Sequence, residues 1–217
     1  MKKIVYFIFL IAFSVTVFAA GEVTELTERT MKITVPSFTL TFNDENDKPL
    51  KAINDTLYSD SFALLNDSED TSEGFSGWDK SVYISEATMT SQNEKTVSFT
   101  TTQYVYYYHA AHGMHLLLGY VFDPATGEKL TLADLLTGTD YRTRIFDFMQ
   151  KEIKEKEIPI FDDVEFKGID ENTEFYLKDD QLVFVFQEYE YTPYYYGFLT
   201  FEIPLDDLKD NLNPKYF

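Results

Sequence analysis

The sequence predicts an α+β fold, a mainly antiparallel sheet with two longer amphipathic helices and short helices packed on it. Three observations carry that expectation. Strand-length runs with period-two alternation fall into an early and a late group, and short turns join their members. Two stretches between strands space their apolar residues three and four apart, the period of a helix with one buried face. No repeat of fixed period runs through the chain. Strand groups separated by helices, without strict β-α alternation, point to a segregated architecture.

The elements follow in order. Met31 to Phe42 alternates apolar and polar around Pro36, a strand broken or edged at the proline. Leu50, Ile53 and Leu57 lie at helical spacing, so a first helix runs from near Pro49 toward Leu65, with the proline in its first turn. Asn66 to Gly77 is acidic, serine-rich and loop-like. Strands are predicted over 80–90, 96–108 and 115–122. In the second of these, Ser98, Thr100, Thr102, Tyr104, Tyr106 and Tyr108 share a face that begins polar and ends aromatic, so cover on both sides is expected near its end. Asp123-Pro124-Ala125-Thr126-Gly127 is a tight turn, with proline presetting φ and glycine free to be left-handed. Thr131 to Asp134 has a capping-box pattern with Asp in place of Glu, and it opens a short helix through Leu136. Tyr141, Ile145, Phe148, Met149 and Ile153 mark the second amphipathic helix. Three more strands are predicted over 174–178, 182–190 and 197–203, and a short helix over 205–212.

Composition bounds the function. Met1-Lys2-Lys3, fifteen mostly apolar residues from Ile4 to Phe18, and Ala19-Ala20-Gly21 form the three parts of a secretory signal. The apolar run is shorter than the roughly 20 residues of a bilayer span, so cleavage after Ala19 is expected. Membrane attachment is expected only where that segment stays uncleaved. The destination is then periplasmic or extracellular. The chain has no cysteine, which removes disulfides, thiolate ligands and thiol nucleophiles together. Formal charge is −19, and loss of Lys2 and Lys3 with the signal takes it to −21. That balance excludes nucleic acid, whose binding depends on Lys and Arg replacing counterions on phosphate. It favours a cationic partner.

Enzyme signatures are sparse. There is no G-x-S-x-G, H-E-x-x-H, phosphate loop or dinucleotide glycine pattern. Asp44 to Pro49 starts like a calcium loop, but Lys48 and Pro49 occupy positions that need a ligand and a glycine. All three histidines, His109, His112 and His115, fall in YYYHAAHGMH. In a strand His109 and His115 point one way and His112 the other, so one metal ion would need a bend at Ala111 to Gly113. The competing reading is packing, with imidazole nitrogens bonded to backbone. Glu188 and Glu190 would share a strand face, a geometry open to a carboxylate pair and equally to a solvated surface. Tyr189 to Tyr196 concentrates tyrosine around Pro193. Tyrosine combines large contact area, low entropy cost and a polar tip, so Tyr191, Pro193, Tyr194, Tyr195 and Tyr196 are the candidate contact residues. Three successive tyrosines cannot all face a core.

These stretches resemble a known family. Tyr108-His109-Ala110-Ala111-His112-Gly113, Phe122 to Leu136 (FDPATGEKLTLADLL), Phe175-Tyr176-Leu177 and Tyr189 to Tyr194 with Gly197 are similar to the RsiV-like extracytoplasmic domain. Val35-Pro36-Ser37-Phe38 with Ile53-Asn54 resembles the smaller domain that precedes it in PdaC-type peptidoglycan deacetylases. The resemblance divides the chain into a signal peptide over 1–19, a PdaC-like α+β subdomain over 20–105 and an RsiV-like domain over 106–217. It makes His112 the histidine of an Ala-His-Gly element, with His109 and Ala110 where glycines are usual. It implies that His109, His112, Gly113, Asp123, Gly127 and Asp134 are structural motif residues. Members include lysozyme-binding anti-sigma factors and noncatalytic modules of cell-wall deacetylases. No sigma-binding region is expected before the apolar segment, and no deacetylase domain after Phe217. The implied function is an exported, noncatalytic binding module of the bacterial cell envelope, needing no cofactor or metal. Its partner would be a lysozyme-like cationic protein or a peptidoglycan-related glycan. Two further readings stay open: a metal-dependent hydrolase built on His109, His112 and Glu188 or Glu190, and a structural envelope protein.

Overall fold

The computed structural model describes residues 31–33, 48–61, 63–64 and 82–217. The expected leader, all of the 31–42 strand after Ile33 and the acidic loop 66–77 lie outside the described residues. The fold is α+β. One sheet has the order β1-β2-β3-β4, formed by Met31–Ile33, Val82–Gln92, Val97–Tyr106 and Met114–Phe122. Its β1 runs parallel to β2, and the other pairs are antiparallel. The second sheet is antiparallel, β5-β6-β7, formed by Glu174–Lys178, Gln181–Phe186 and Leu199–Pro204. Helix α1 (Lys48–Asp60) precedes β2, and α2 (Leu132–Leu135) and α3 (Tyr141–Glu155) lie between the sheets in sequence. The expected boundary at 105/106 falls inside β3, which pairs with β4 as far as Val105.

Helical spacing in α1 puts Ile53 and Leu57 on one face, against Val97, Phe99, Tyr120 and Phe122. Gln103 sits among these inward residues and is fully buried. Its amide is satisfied there. Oε1 accepts from Leu64 N (2.8 Å) and Tyr83 Oη (2.9 Å), and Nε2 donates to Asp60 O (2.6 Å) at the end of α1. The main core packs Ile145 and Met149 of α3 on Leu182, Phe184 and Phe186 of β6 and on Leu199, Phe201 and Ile203 of β7. Each such side chain contributes about 1.5–3 kcal/mol on leaving water.

The cover on β3 corrects the sequence reading. It lies over the polar start of the second face, where Ser98 and Thr100 are buried, while Tyr104 and Tyr106 at the end are only half-buried. The reason is that β5 crosses there. Small hydroxyls admit a backbone at close range and can satisfy it: Leu177 N donates to Ser98 Oγ (2.9 Å), which donates to Tyr120 O (2.7 Å). At the same crossing a Cβ on Gly119 would stand 2.2 Å from Phe175 O.

The capping box forms. Thr131 Oγ1 accepts from Asp134 N (3.3 Å), and Asp134 Oδ2 accepts from Thr131 N (2.7 Å) and Thr131 Oγ1 (2.6 Å). These bonds hold the Asp134 carboxyl below the usual carboxylate range. A depressed folded-state pKa contributes stability that is present above the unfolded value and lost as pH falls through the folded one. Thr131→Ala should therefore cost about 1 kcal/mol in urea unfolding at neutral pH. Asp134→Asn should flatten the loss of stability as pH falls below the ordinary carboxylate range. An unchanged acid limb in that variant would show that the box contributes nothing.

Candidate functional site

Strand β6 ends at Phe186, earlier than the expected Glu190, and the chain turns through 187–190. Tyr189 takes a left-handed φ of 66° at this turn. Glu188 and Glu190 therefore share no strand face. Glu190 Oε2 accepts from Gln187 N (2.8 Å), closing the turn on itself, and Glu188 reaches to β4.

The reach is systematic. Alternate N–H groups of β4 point away from β3. Glu188 Oε2 accepts from His115 N (3.2 Å), Gln187 Oε1 from Leu117 N (3.1 Å), and Glu174 Oε2 from Gly119 N (2.8 Å). Gln187 Nε2 also donates to Leu117 O (2.8 Å), so its amide pairs with that residue as a neighbouring strand would. Three side chains thus occupy an edge that would otherwise be open to another chain. Glu188 Oε1 further accepts from His115 Nδ1 (2.9 Å), and its side chain is only 10% exposed.

The tyrosine segment stands on this mount. Tyr194–Tyr196 form a single 3₁₀ turn, with Tyr196 N donating to Pro193 O (2.9 Å). Tyr194 Oη donates to Gly113 O (3.1 Å), and its ring stacks on His112 at 4.1 Å and on Tyr189 at 5.6 Å. Burial pushes the Tyr194 phenol up, with Glu188, Tyr104 and Tyr189 adding to it. The Gly113 carbonyl can only accept, so His112 Nδ1 donates to it (2.8 Å). In the neutral ring, Nε2 then accepts from Tyr189 Oη (3.3 Å). A Cβ on Gly113 would meet Tyr104 Cε2 at 2.0 Å, which makes glycine the residue that lets Tyr104 lie there. Tyr104 pairs across the sheet with His115, their rings 4.8 Å apart.

The result is a surface with three outward phenols. Tyr195 is 78% exposed, Tyr189 55% and Tyr196 38%. Tyr191, expected with them, turns inward instead. Its ring packs at 4.8 Å from Phe166 and 5.2 Å from Phe186. The next residue, Thr192, is fully buried, so this part of the segment is core. Pro193 is half-buried and starts the 3₁₀ turn.

The three histidines have three different settings. His109 is left-handed (φ 71°), exposed, and packs on Tyr108 at 3.9 Å. His112 belongs to the tyrosine stack and His115 to Glu188. The chain does bend at 111–112, yet the bend sends the rings to these separate neighbours. Among the described residues no three His, Cys, Asp or Glu side chains gather as metal ligands. Asp123, Gly127 and Asp134 lie apart from this face. Asp123 Oδ1 accepts from Ala125 N (2.9 Å) inside the 123–127 turn. Gly127 is left-handed (φ 77°), and a Cβ there would meet Pro49 O at 2.4 Å. Gln187, which helps hold the site together, carried no sequence signal beyond ending an apolar run, and Glu188 was expected beside Glu190 on a strand face and not as a tie to β4.

Comparison with known proteins gives a family match and two structural neighbours. Residues 133–206, about a third of the chain, match a family model described as a protein of unknown function, DUF3298. A crystal structure of a DUF3298 family member from Bacteroides fragilis is 16% identical. The match covers 86% of each chain with a TM-score of 0.63. A DUF3298 family protein from Pseudomonas aeruginosa is 12% identical, with 95% of this chain and 97% of that one covered and a TM-score of 0.65. At these identities the likeness is one of fold. No curated protein matches the sequence.

Proposed function

We propose that this protein is an exported, noncatalytic binding module of the cell envelope, and that its tyrosine face docks a cationic protein of the lysozyme type. The observation that carries the reading is the exposure of Tyr189, Tyr195 and Tyr196 on a segment tied to β4 by Gln187, Glu188 and Tyr194. Large aromatic side chains held in place lose little entropy on binding, which suits them to recognition. Net charge supports the choice of partner. At −19, the protein attracts a basic protein at long range and speeds encounter. The resemblance of the histidine and tyrosine stretches to the RsiV-like domain favours the same partner class. The N-terminal apolar run supports export. Among the described residues, no helix is long and apolar enough to cross a membrane.

Calorimetric titration of residues 20–217 with a basic lysozyme at two salt concentrations tests this. The expected result is saturable binding that weakens as salt rises, because screening shortens the reach of the charges. Binding that persists after chelation would set aside the metal-hydrolase reading for this surface. Absence of binding at low salt would refute the docking role. Binding of soluble peptidoglycan fragments at the same face would transfer it to a glycan.

A further inference from the structure

We infer that a second, separate site lies in the cleft between β4, the start of α2 and the 170–175 segment, and that it takes a small zwitterion, an α-amino acid or a short peptide. The cleft has a volume of about 560 Å³, within the roughly 300–1,000 Å³ of small-ligand sites. Its floor is closed by the contact of Gly119 with the Phe175 backbone.

Five charged side chains line it, Lys129, Arg142, Asp170, Glu171 and Glu174, and three of them can meet the charges of a zwitterion. Glu174 is half-buried, and only one of its oxygens is engaged. Oε2 accepts from Gly119 N, while Oε1 has no hydrogen bond among the described residues. Burial pushes this carboxyl up, against the Gly119 bond and the Lys129 charge. An incoming ammonium would favour its ionised form. Lys129 and Arg142 line the same cleft. Lys129 Nζ lies 4.4 Å above the Tyr120 ring, and Arg142 Nη1 makes one long bond to Ile169 O (3.4 Å). Neither forms an ion pair within 4.0 Å among the described residues. The acids of the cleft act on them only from beyond ion-pair distance, Glu174 on Lys129 and Asp170 on Arg142, so both cations can take a carboxylate brought by a ligand, which the planar Arg142 can hold bidentately. The ammonium of the same molecule goes to Glu174 Oε1. Asp170 is tied into its own turn, and its charge acts on Arg142. Its Oδ1 already accepts from Asn172 N (2.8 Å) and Thr173 Oγ1 (3.0 Å).

The test is amide NMR of the protein titrated with L-alanine, D-alanine and alanyl-alanine, beside N-acetylalanine and alanine amide as probes lacking one charge each. Saturable shifts confined to residues 129–133 and 170–175 are expected with at least one zwitterion. Each blocked probe should bind at least about ten-fold more weakly, the worth of one lost charged hydrogen bond. Relative affinity for alanine and alanyl-alanine distinguishes a free amino acid from a peptide end. Glu174→Gln should abolish the response. Its amide oxygen can still accept from Gly119 N, so the crossing is kept, and an unchanged spectrum away from the cleft will verify it. No saturable shift with any zwitterion, or equal binding of the blocked probes, overturns the assignment.

Discussion

Gly119→Ala is expected to destabilise the protein by about 3 kcal/mol or more, lowering the melting temperature by roughly 6–12 °C. The added Cβ would stand 2.2 Å from Phe175 O and 2.6 Å from Phe175 C. Both are backbone atoms of β5, so no side-chain rotation relieves the clash. The two sheets must separate at their crossing. Separation also stretches Gly119 N to Glu174 Oε2 and Leu177 N to Ser98 Oγ. Gly197→Ala is the informative comparison. Gly197 is left-handed (φ 74°) but has no atom within 4 Å of a built Cβ. It should lose only the backbone strain of its φ 74°, ψ −147° conformation, which is open essentially to glycine and costs on the order of 1–3 kcal/mol. Thermal unfolding of both variants checks the order. If Gly119→Ala proves as mild as Gly197→Ala, the crossing is looser than described.

The second large effect concerns binding. Tyr195→Ala should weaken capture of the cationic partner by roughly 30-fold or more, the loss typical of a central aromatic contact. Tyr189→Ala should do the same. Their combination should fall short of the product, because Tyr189 stacks on Tyr194 and removing it disturbs that ring as well. Stability should change little, since Tyr195 is 78% exposed and touches no core. That separates this test from one at Tyr191, where truncation would open a hole beside Phe166 and Phe186. Calorimetry on the single and double variants, with melting temperatures measured alongside, decides it. Full affinity in the double variant would remove the tyrosine face from the proposed function.

Local chemistry alone fixed much of what is seen. The 123–127 turn, the capping box and the α3 helix follow from spacing, caps and turn residues, because each is closed by bonds within a few residues, and the 174–178 strand from its tight turn to β6. The excess of carboxylates and the absence of cysteine were equally plain, and the absence of cysteine excludes disulfides. That at least one of three successive tyrosines must be exposed also followed from strand and turn geometry, and Tyr195 and Tyr196 are. Tertiary packing decided the rest. Period two gave the faces of β3 but not which end would be covered; the crossing of β5 chose Ser98 and Thr100, whose hydroxyls could meet a backbone. Gln187 and Glu188 read as the tail of a strand, yet β6 stops before them because the β4 edge, distant in sequence, offers N–H groups for their side chains. The histidines were close in sequence, and only the fold could say that each has its own neighbour. Contacts that span seventy residues leave no periodic trace, so the site's mount, unlike its tyrosines, had to be seen in three dimensions.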